Sequence, residues 1–126
     1  MIVGVGVDII DIERLQGQWD SGNQRFFERV FTAGEIDYCA RQHRPAVHFA
    51  ARFAAKEALF KALGTGLVAP FSWQQLEVKR DATGQPRLDC RGALAEHLSE
   101  QGNVRIHLTM SHTRTSAAAV VLLELC

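Results

Sequence analysis

The chain has 126 residues, 47% of them hydrophobic and 22% charged, which is typical of a folded globular protein and excludes a mostly disordered one, so we expect a single domain spanning residues 1–126. The formal net charge is zero, and the composition therefore predicts neither a nucleic-acid-binding surface nor a membrane-binding one. The three cysteines, Cys39, Cys90 and Cys126, have neither C-x-x-C nor zinc spacing, which favours free thiols in a reducing cytoplasm.

The first part of the chain predicts a strand followed by short helices. Residues 2–10 are rich in β-branched residues and glycine, which suits a buried strand. The polar and glycine-containing residues 16–24 predict a loop. Residues 25–42 predict one or two short helices, in which Thr32 is the expected N-cap and Glu35 completes a capping box.

A long helix is predicted to begin after Pro45, near residue 46, and to end at Gly64, which supplies its C-cap. The remaining elements are a hairpin turning at residues 82–84, a short helix and two final strands, over residues 73–90, 92–102, 104–112 and 116–125. Three consecutive alanines make a helix an alternative for the last of these. Because β-α-β alternation is lacking, we predict an α+β fold, with a mostly antiparallel sheet packed against the long central helix.

The long helix is almost wholly apolar, yet it contains Arg52, Lys56, Glu57 and Lys61. Glu57 and Lys61, one turn apart, could form a solvent-exposed ion pair worth a few tenths of a kcal/mol. Alternatively, another element or subunit buries the alanine face, and the charged groups line a pocket there. A buried carboxylate then requires a partner or a metal ion, so a second oxygen ligand should exist elsewhere in the chain.

Alternation places Gly4, Gly6 and Asp8 on one face of the first strand. Two glycines beside an acid leave room for another backbone or a ligand, and no third glycine completes a dinucleotide-binding motif. The early acid and the lack of a basic region also argue against a signal peptide or membrane span. Asp8 could merely cap the following segment. With Glu57 it would instead form the minimal carboxylate set for Mg²⁺, and Lys61 could contact a phosphate.

His112 ends the predicted strand 104–112 directly before a turn. It shares a face with apolar residues of that strand, which is compatible with a histidine that makes only local contacts. Its position beside a turn also suits a phosphate or nucleotide contact. The other histidines show no mutual metal-site spacing, and we interpret them as structural: His43, His48, His97 and His107.

Four segments together resemble one family: GVGVDIIDIERL, RFAAKEALFKALGTGL, FSWQQLEVKRDATGQPRL and MSHTRTSAAAVVLLE. In order and spacing they are similar to the holo-acyl-carrier-protein synthases, the short bacterial class of 4′-phosphopantetheinyl transferases. The combination of G-x-D, F-x-x-K-E-x-x-x-K and S-H carries the resemblance, which covers nearly the whole chain.

The resemblance implies the 4′-phosphopantetheinyl transferase fold and an enzyme of fatty acid biosynthesis. Such an enzyme moves the 4′-phosphopantetheine arm of coenzyme A onto a serine of apo acyl carrier protein. It requires Mg²⁺ and releases adenosine 3′,5′-bisphosphate. Short members of the family are typically homotrimers with active sites at subunit interfaces, and an alanine-rich helix face would suit the close approach of a neighbouring chain.

The resemblance also assigns residues to roles. The metal ligands are expected to be Asp8 and Glu57, and these two acids together with Lys61, near the pyrophosphate, form the catalytic set. Glu57 is the expected base. The residues along the coenzyme A cleft are Arg52, Lys61, Gly64, Thr65 and His112. The family grips the acidic carrier with basic residues on the helix after the first strand, which suggests Arg14 and Arg25, with an apolar contact from Phe26.

Two other functional classes are compatible with parts of this pattern. A non-catalytic coenzyme A or nucleotide-binding module would keep Arg52 and His112 but would tolerate the loss of Asp8. A purely structural oligomer would use the alanine face only as an interface. The presence of both acids together with Lys61 favours the enzyme over either alternative.

Overall fold

The structure is a computed structural model that describes residues 1–126. Its helices and strands are β1 (Ile2–Asp11), α1 (Ile12–Asp20), α2 (Gln24–Val30), α3 (Ala33–Ala40), α4 (Pro45–Leu63), β2 (Leu76–Arg80), β3 (Pro86–Cys90), α5 (Gly92–Glu100), β4 (Val104–His112) and β5 (Ser116–Leu125). A short 3₁₀ turn, Trp73–Gln75, precedes β2. The predicted α+β class is confirmed. None of the helices combines the length and apolarity that a membrane span requires.

One predicted loop is wrong, because α1 occupies most of residues 16–24 and ends only at Asp20. The side chain of Leu15 is fully buried, and the ring of Trp19 lies 5.6 Å from the ring of Phe49 in α4. Packing of this apolar stripe against α4 therefore stabilises a helix whose polar and glycine residues have low intrinsic preference for one.

Other element boundaries follow their local signals. Thr32 and Glu35 form the predicted capping box at the start of α3. Helix α4 begins at Pro45 and ends before Gly64, whose φ of 78° is left-handed, as is typical of a C-cap glycine. The alanine-containing segment after the last turn forms β5, so the helical alternative for it is wrong.

The main sheet is antiparallel and has three strands in the order β1-β5-β4, while β2 and β3 form a separate antiparallel hairpin. Asp8 in β1 pairs with Ala119 in β5, and His112 in β4 pairs with Ala117 in β5. Strands β1 and β4 are thus the two edges of the sheet, about 10 Å apart across β5. Helix α4 packs over the sheet face that carries both Asp8 and His112.

Strand β1 lies directly on the backbone of α4. A Cβ atom on Gly6 would overlap the carbonyl oxygen of Ala58 and lie 2.8 Å from the backbone nitrogen of Ala62, and one on Gly4 would overlap the carbonyl oxygen of Ala62. The expected close approach of another backbone to these glycines is therefore confirmed. The expectation that the alanine face meets a neighbouring chain is wrong, because the protein's own sheet covers it.

Candidate active site

The contact between β1 and α4 brings Asp8 to Lys61. The Lys61 ammonium group donates a hydrogen bond to Oδ1 of Asp8 at 2.7 Å and another to the carbonyl oxygen of Val7 at 3.1 Å. The bond to Asp8 raises the pKa of Lys61. Lys61 therefore pairs with Asp8, and its alternative ion pair with Glu57 does not form. Asp8 is not the helix cap either, since the N-cap of α1 is Asp11.

Glu57 lies beside this pair and is half-buried. Burial raises the pKa of its carboxyl group, and the negative charge of Asp8 raises it further, while Lys61 and Arg14 act in the opposite direction. Two carboxylates thus sit close enough to repel each other. We call Asp8, Glu57 and Lys61 the acid cluster.

The acid cluster fits a hard divalent cation. Oδ2 of Asp8 is buried and has no hydrogen-bond partner, although a buried carboxylate oxygen normally requires one. Nowhere in the structure do three or more His, Cys, Asp or Glu side chains gather into a metal-binding group. A pair of carboxylates suits Mg²⁺, which takes one or two from the protein and completes its shell with water and phosphate oxygens.

Of the three residues predicted to contact a carrier protein, Arg14 lies close enough to Glu57 for its charge to lower the pKa of that carboxyl group. The guanidinium carbon of Arg14 is 5.2 Å from the centre of the Phe53 ring, and Phe26 packs edge-on against the same ring at 6.2 Å. Arg25, beside Phe26 in α2, is exposed. The expectation that both arginines belong to the helix after the first strand is wrong for Arg25, since Arg14 lies in α1 and Arg25 in α2.

Arg52 and His112 line a separate cavity of about 130 Å³, together with His48 and Arg80. The guanidinium group of Arg52 is 4.4 Å from the centre of the Tyr38 ring, and its Nε and Nη1 atoms are buried without a hydrogen-bond partner. Burial lowers the pKa of His48, and the neighbouring Arg52, Arg80 and His112 lower it further. No carboxylate lines this basic cavity, which therefore suits an anion.

Helix α4 separates the acid cluster from the basic cavity. Arg52 and Glu57 are five positions apart in α4, which places them about 140° apart around its axis. The acid cluster lies on the β1 side of the helix, and the basic cavity on the β4 side. Gly64 and Thr65 follow the end of α4, one turn beyond Lys61, and are exposed. The predicted site residues thus form two groups within one copy of the chain.

The sequence analysis missed a fully buried ion pair between Lys56 and Glu35. The two charged groups are 2.6 Å apart, and neither side chain is exposed. Burial lowers the pKa of Lys56, and the charge and hydrogen bond of Glu35 partly offset this effect. A lysine in an apolar helix and a glutamate in a capping box are visible in the sequence, but no local pattern predicts that they meet.

Comparison with known proteins agrees with this architecture. Residues 4–121 match the model of the 4′-phosphopantetheinyl transferase superfamily. A holo-[acyl-carrier-protein] synthase from Geotalea daltonii is 45% identical over 124 residues, covering 98% of this chain and 99% of that protein. The holo-[acyl-carrier-protein] synthase from Neisseria meningitidis superposes with a TM-score of 0.89 at 35% identity, covering 98% of this chain and 99% of the other.

A further similar structure contains a ligand. It is a holo-(acyl-carrier-protein) synthase from Bacillus anthracis in complex with CoA (3′,5′-ADP), with a TM-score of 0.82 and 35% identity, covering 100% of this chain and 99% of that one. These matches confirm the resemblance seen in the sequence. The chain belongs to the 4′-phosphopantetheinyl transferase superfamily, within its holo-[acyl-carrier-protein] synthase family.

Proposed function

We propose that the chain transfers 4′-phosphopantetheine from coenzyme A to a serine of apo acyl carrier protein in an Mg²⁺-dependent reaction that releases adenosine 3′,5′-bisphosphate. The observation that carries the proposal is the acid cluster, where Lys61 pairs with Asp8, the charge of Asp8 raises the pKa of Glu57, and one buried oxygen of Asp8 has no partner. The name and ligand of the Bacillus anthracis relative support the same donor and acceptor. We place the reaction in cytoplasmic fatty acid biosynthesis, consistent with three free cysteines.

In the proposed reaction the serine oxygen attacks the β-phosphorus of coenzyme A, and the bond from that phosphorus to the adenosine bisphosphate breaks. Asp8 and Glu57 would hold the Mg²⁺ ion, which neutralises charge on the pyrophosphate when bound. The Lys61 ammonium group has two hydrogens engaged, with Asp8 and Val7, and the third is free for a phosphate oxygen. It would stabilise negative charge that develops during transfer.

Glu57 is the proposed base that accepts the proton of the acceptor serine. Lys61 and Arg14 both lie close enough to Glu57 to lower its pKa, so we place Glu57 at the boundary of the proposed phosphate contact and the proposed carrier contact. A base is needed at that boundary, because the serine and the phosphorus meet there.

The basic cavity is proposed to bind a phosphate at the nucleotide end of coenzyme A. Its volume of about 130 Å³ is large enough for a phosphate group. Two buried nitrogens of Arg52 have no hydrogen-bond acceptor in the structure, and a phosphate oxygen would supply one. Since α4 separates the acid cluster from the basic cavity, no single cleft of one copy contains both groups. We therefore propose that the acid cluster of one copy and the basic cavity of a neighbouring copy share one coenzyme A molecule.

The outer face of the sheet provides a surface for such an assembly. Val3, Val5, Val7 and Ile9 of the edge strand β1 point away from α4 and are 42%, 60%, 58% and 68% exposed. A row of large apolar side chains on a strand that has one free edge is typical of a protein–protein interface. We propose that this face joins copies of the chain into the homotrimer that the family resemblance implies.

Replacing Val5 with aspartate should dissociate the assembly and abolish transfer, while each copy keeps its fold. Val5 points away from α4, so the acid cluster and the basic cavity of each copy remain unchanged. Analytical ultracentrifugation measures the mass of the particle, and the transfer assay measures activity on the same sample.

Ala33→Asp is the matched control for Val5→Asp. Ala33 is exposed at the first turn of α3, far from the outer sheet face, and an acid is tolerated at a helix N-terminus. This variant should retain the wild-type mass and activity. A monomeric Val5→Asp variant with full activity would contradict the shared site.

Replacing both Arg14 and Arg25 with alanine should raise KM for the apo carrier roughly ten-fold, because two exposed charge contacts contribute about 0.2–1 kcal/mol each. KM for coenzyme A should stay unchanged. Steady-state kinetics with each substrate varied in turn separates the two constants. Lys79→Ala removes an exposed cation from the β2–β3 hairpin and should change neither; an equal effect in this control would argue against a local docking surface.

The activity itself is tested by incubating the protein with coenzyme A, Mg²⁺ and apo carrier, followed by mass spectrometry of the carrier. Addition of one phosphopantetheine group to the acceptor serine is the expected result. Binding of coenzyme A without transfer would identify a binding module. If the protein shows no binding and no transfer, a structural oligomer is the class that remains.

A further inference from the structure

The C-terminal end of α2, the helix that carries two of the proposed carrier contacts, is held by side chains from other parts of the chain. The Lys56 ammonium group donates a hydrogen bond to the carbonyl oxygen of Val30 at 2.8 Å. The side-chain amide of Gln74 donates to the carbonyl oxygens of Glu28 and Phe31. Carbonyl groups at a helix C-terminus have no partner within the helix, so these two side chains serve as its cap.

Lys56 is itself fixed in one position. Its three ammonium hydrogens are shared among the α2 carbonyl, the carbonyl of Trp73 at 3.2 Å and the carboxylate of Glu35 at 2.6 Å. Glu35 in turn accepts hydrogen bonds from the backbone N–H groups of Thr32 and Val78. Every hydrogen-bonding group of the pair is therefore satisfied, and it links α2, α3, the 3₁₀ turn and β2 to α4.

Stability alone is a weak explanation for this pair. Buried ion pairs can often be replaced by apolar residues with no loss of stability, whereas a role in specifying position is well attested. Lys56 directly precedes Glu57 in α4. The lysine that holds α2 therefore belongs to the same helical turn as the proposed base. On the other side, Phe26 of α2 packs on Phe53, one turn before Glu57.

We infer that Glu35, Lys56 and Gln74 are positioning residues that hold α2 at a set distance from Glu57, so that a carrier protein docked on α2 presents its serine to the base. The inference rests on the proposed function and adds the residues that couple carrier docking to the reacting group. The Gln74 amide bonds only to the end of α2, so its loss should affect the carrier and leave coenzyme A unaffected. The ion pair also holds β2, which carries Arg80 of the basic cavity, so its loss should affect the carrier more than coenzyme A.

Two variants test the inference. Gln74→Ala removes both amide contacts from an exposed position, and the double variant Glu35→Gln with Lys56→Met removes the ion pair without leaving an unpaired buried charge. A shift of α2 displaces both the docking residues and the bound serine, and a misplacement of about 1 Å can cost up to ~10²-fold in rate. We therefore expect kcat/KM for apo carrier to fall about three-fold in Gln74→Ala and at least about ten-fold in the double variant. In Gln74→Ala, KM for coenzyme A and the Mg²⁺ dependence should stay within about two-fold of wild type.

Gln42→Ala is the matched control, since the Gln42 amide donates to a helix carbonyl, that of Tyr38 in α3, and makes no contact with α2. It should leave kcat/KM for the carrier and KM for coenzyme A unchanged. Wild-type kcat/KM for the carrier in both test variants would overturn the inference, and so would a change in KM for coenzyme A in Gln74→Ala as large as its loss of kcat/KM for the carrier. If the double variant does not fold, Gln74→Ala alone decides. A wild-type protein without transfer would overturn the proposed function as well, whereas active wild type with unaffected variants overturns only this inference.

Discussion

Asp8→Asn and Glu57→Gln should each lower the rate of phosphopantetheine transfer by a factor on the order of 10²–10³ or more, because each removes one charged oxygen ligand from the acid cluster. The amides keep the shape of the side chains, and the contact between β1 and α4 is made by backbone atoms, so both variants should fold. Initial rates measured over a range of Mg²⁺ concentrations, with circular dichroism of the same samples, test both statements.

The Mg²⁺ titration distinguishes a metal ligand from a residue that only supports the fold. If Asp8 holds the ion, Asp8→Asn should require more Mg²⁺ for half its maximal rate. Asp11→Asn is the matched control, since Asp11 ends the same strand, is exposed and makes no side-chain cap to α1. A folded Glu57→Gln enzyme with near-normal turnover would exclude Glu57 as both ligand and base.

Gly6→Ala should lower the free energy of unfolding by about 3 kcal/mol or more, at the upper end of the usual cost of overpacking a core. The added methyl group would meet the carbonyl oxygen of Ala58, and a backbone atom in the middle of α4 has little room to move. Strand and helix would have to separate, which would also displace Asp8 from Glu57. Urea-induced unfolding measures the stability change, and the transfer assay measures its consequence for the site.

Gly17→Ala is the control for the glycine substitution. Gly17 lies in α1, is exposed, and has no atom within 4 Å of the position that a Cβ would take. Alanine should therefore stabilise the helix, by about 0.5–1 kcal/mol relative to glycine. Unchanged stability of Gly6→Ala would show that the contact between β1 and α4 is looser than the structure describes.

Elements with local signals were predictable from the sequence. The capping box of Thr32 and Glu35, the proline and glycine at the ends of α4, and the alternation of β1 each depend on residues close together in the chain. The space beside Gly4 and Gly6 was also predictable, because glycines on one face of a strand leave it open. The sequence does not show which element fills that space.

Contacts between distant residues were not predictable in the same way. Periodicity assigns Lys56 and Lys61 to faces of a helix but does not say that one meets Glu35 and the other Asp8. The second half of helix α1 was predicted as a loop, because packing against α4 outweighs the low helix preference of its residues. The spacing of Arg52 and Glu57 already places them on different sides of α4. Only the structure shows that one side faces β1 and the other faces the basic cavity.

The backbone contact at Gly6 limits where the protein can change to accept new substrates. At Gly4 and Gly6 no side chain lies between β1 and α4, so the gap at these two positions is determined by atomic radii and cannot widen to suit a new ligand. Tolerance for acylated donors or for unfamiliar carriers must then arise at the periphery, in α1, α2 and the segment after Gly64. Directed evolution toward new substrates should accumulate its changes in those regions and leave both glycines untouched.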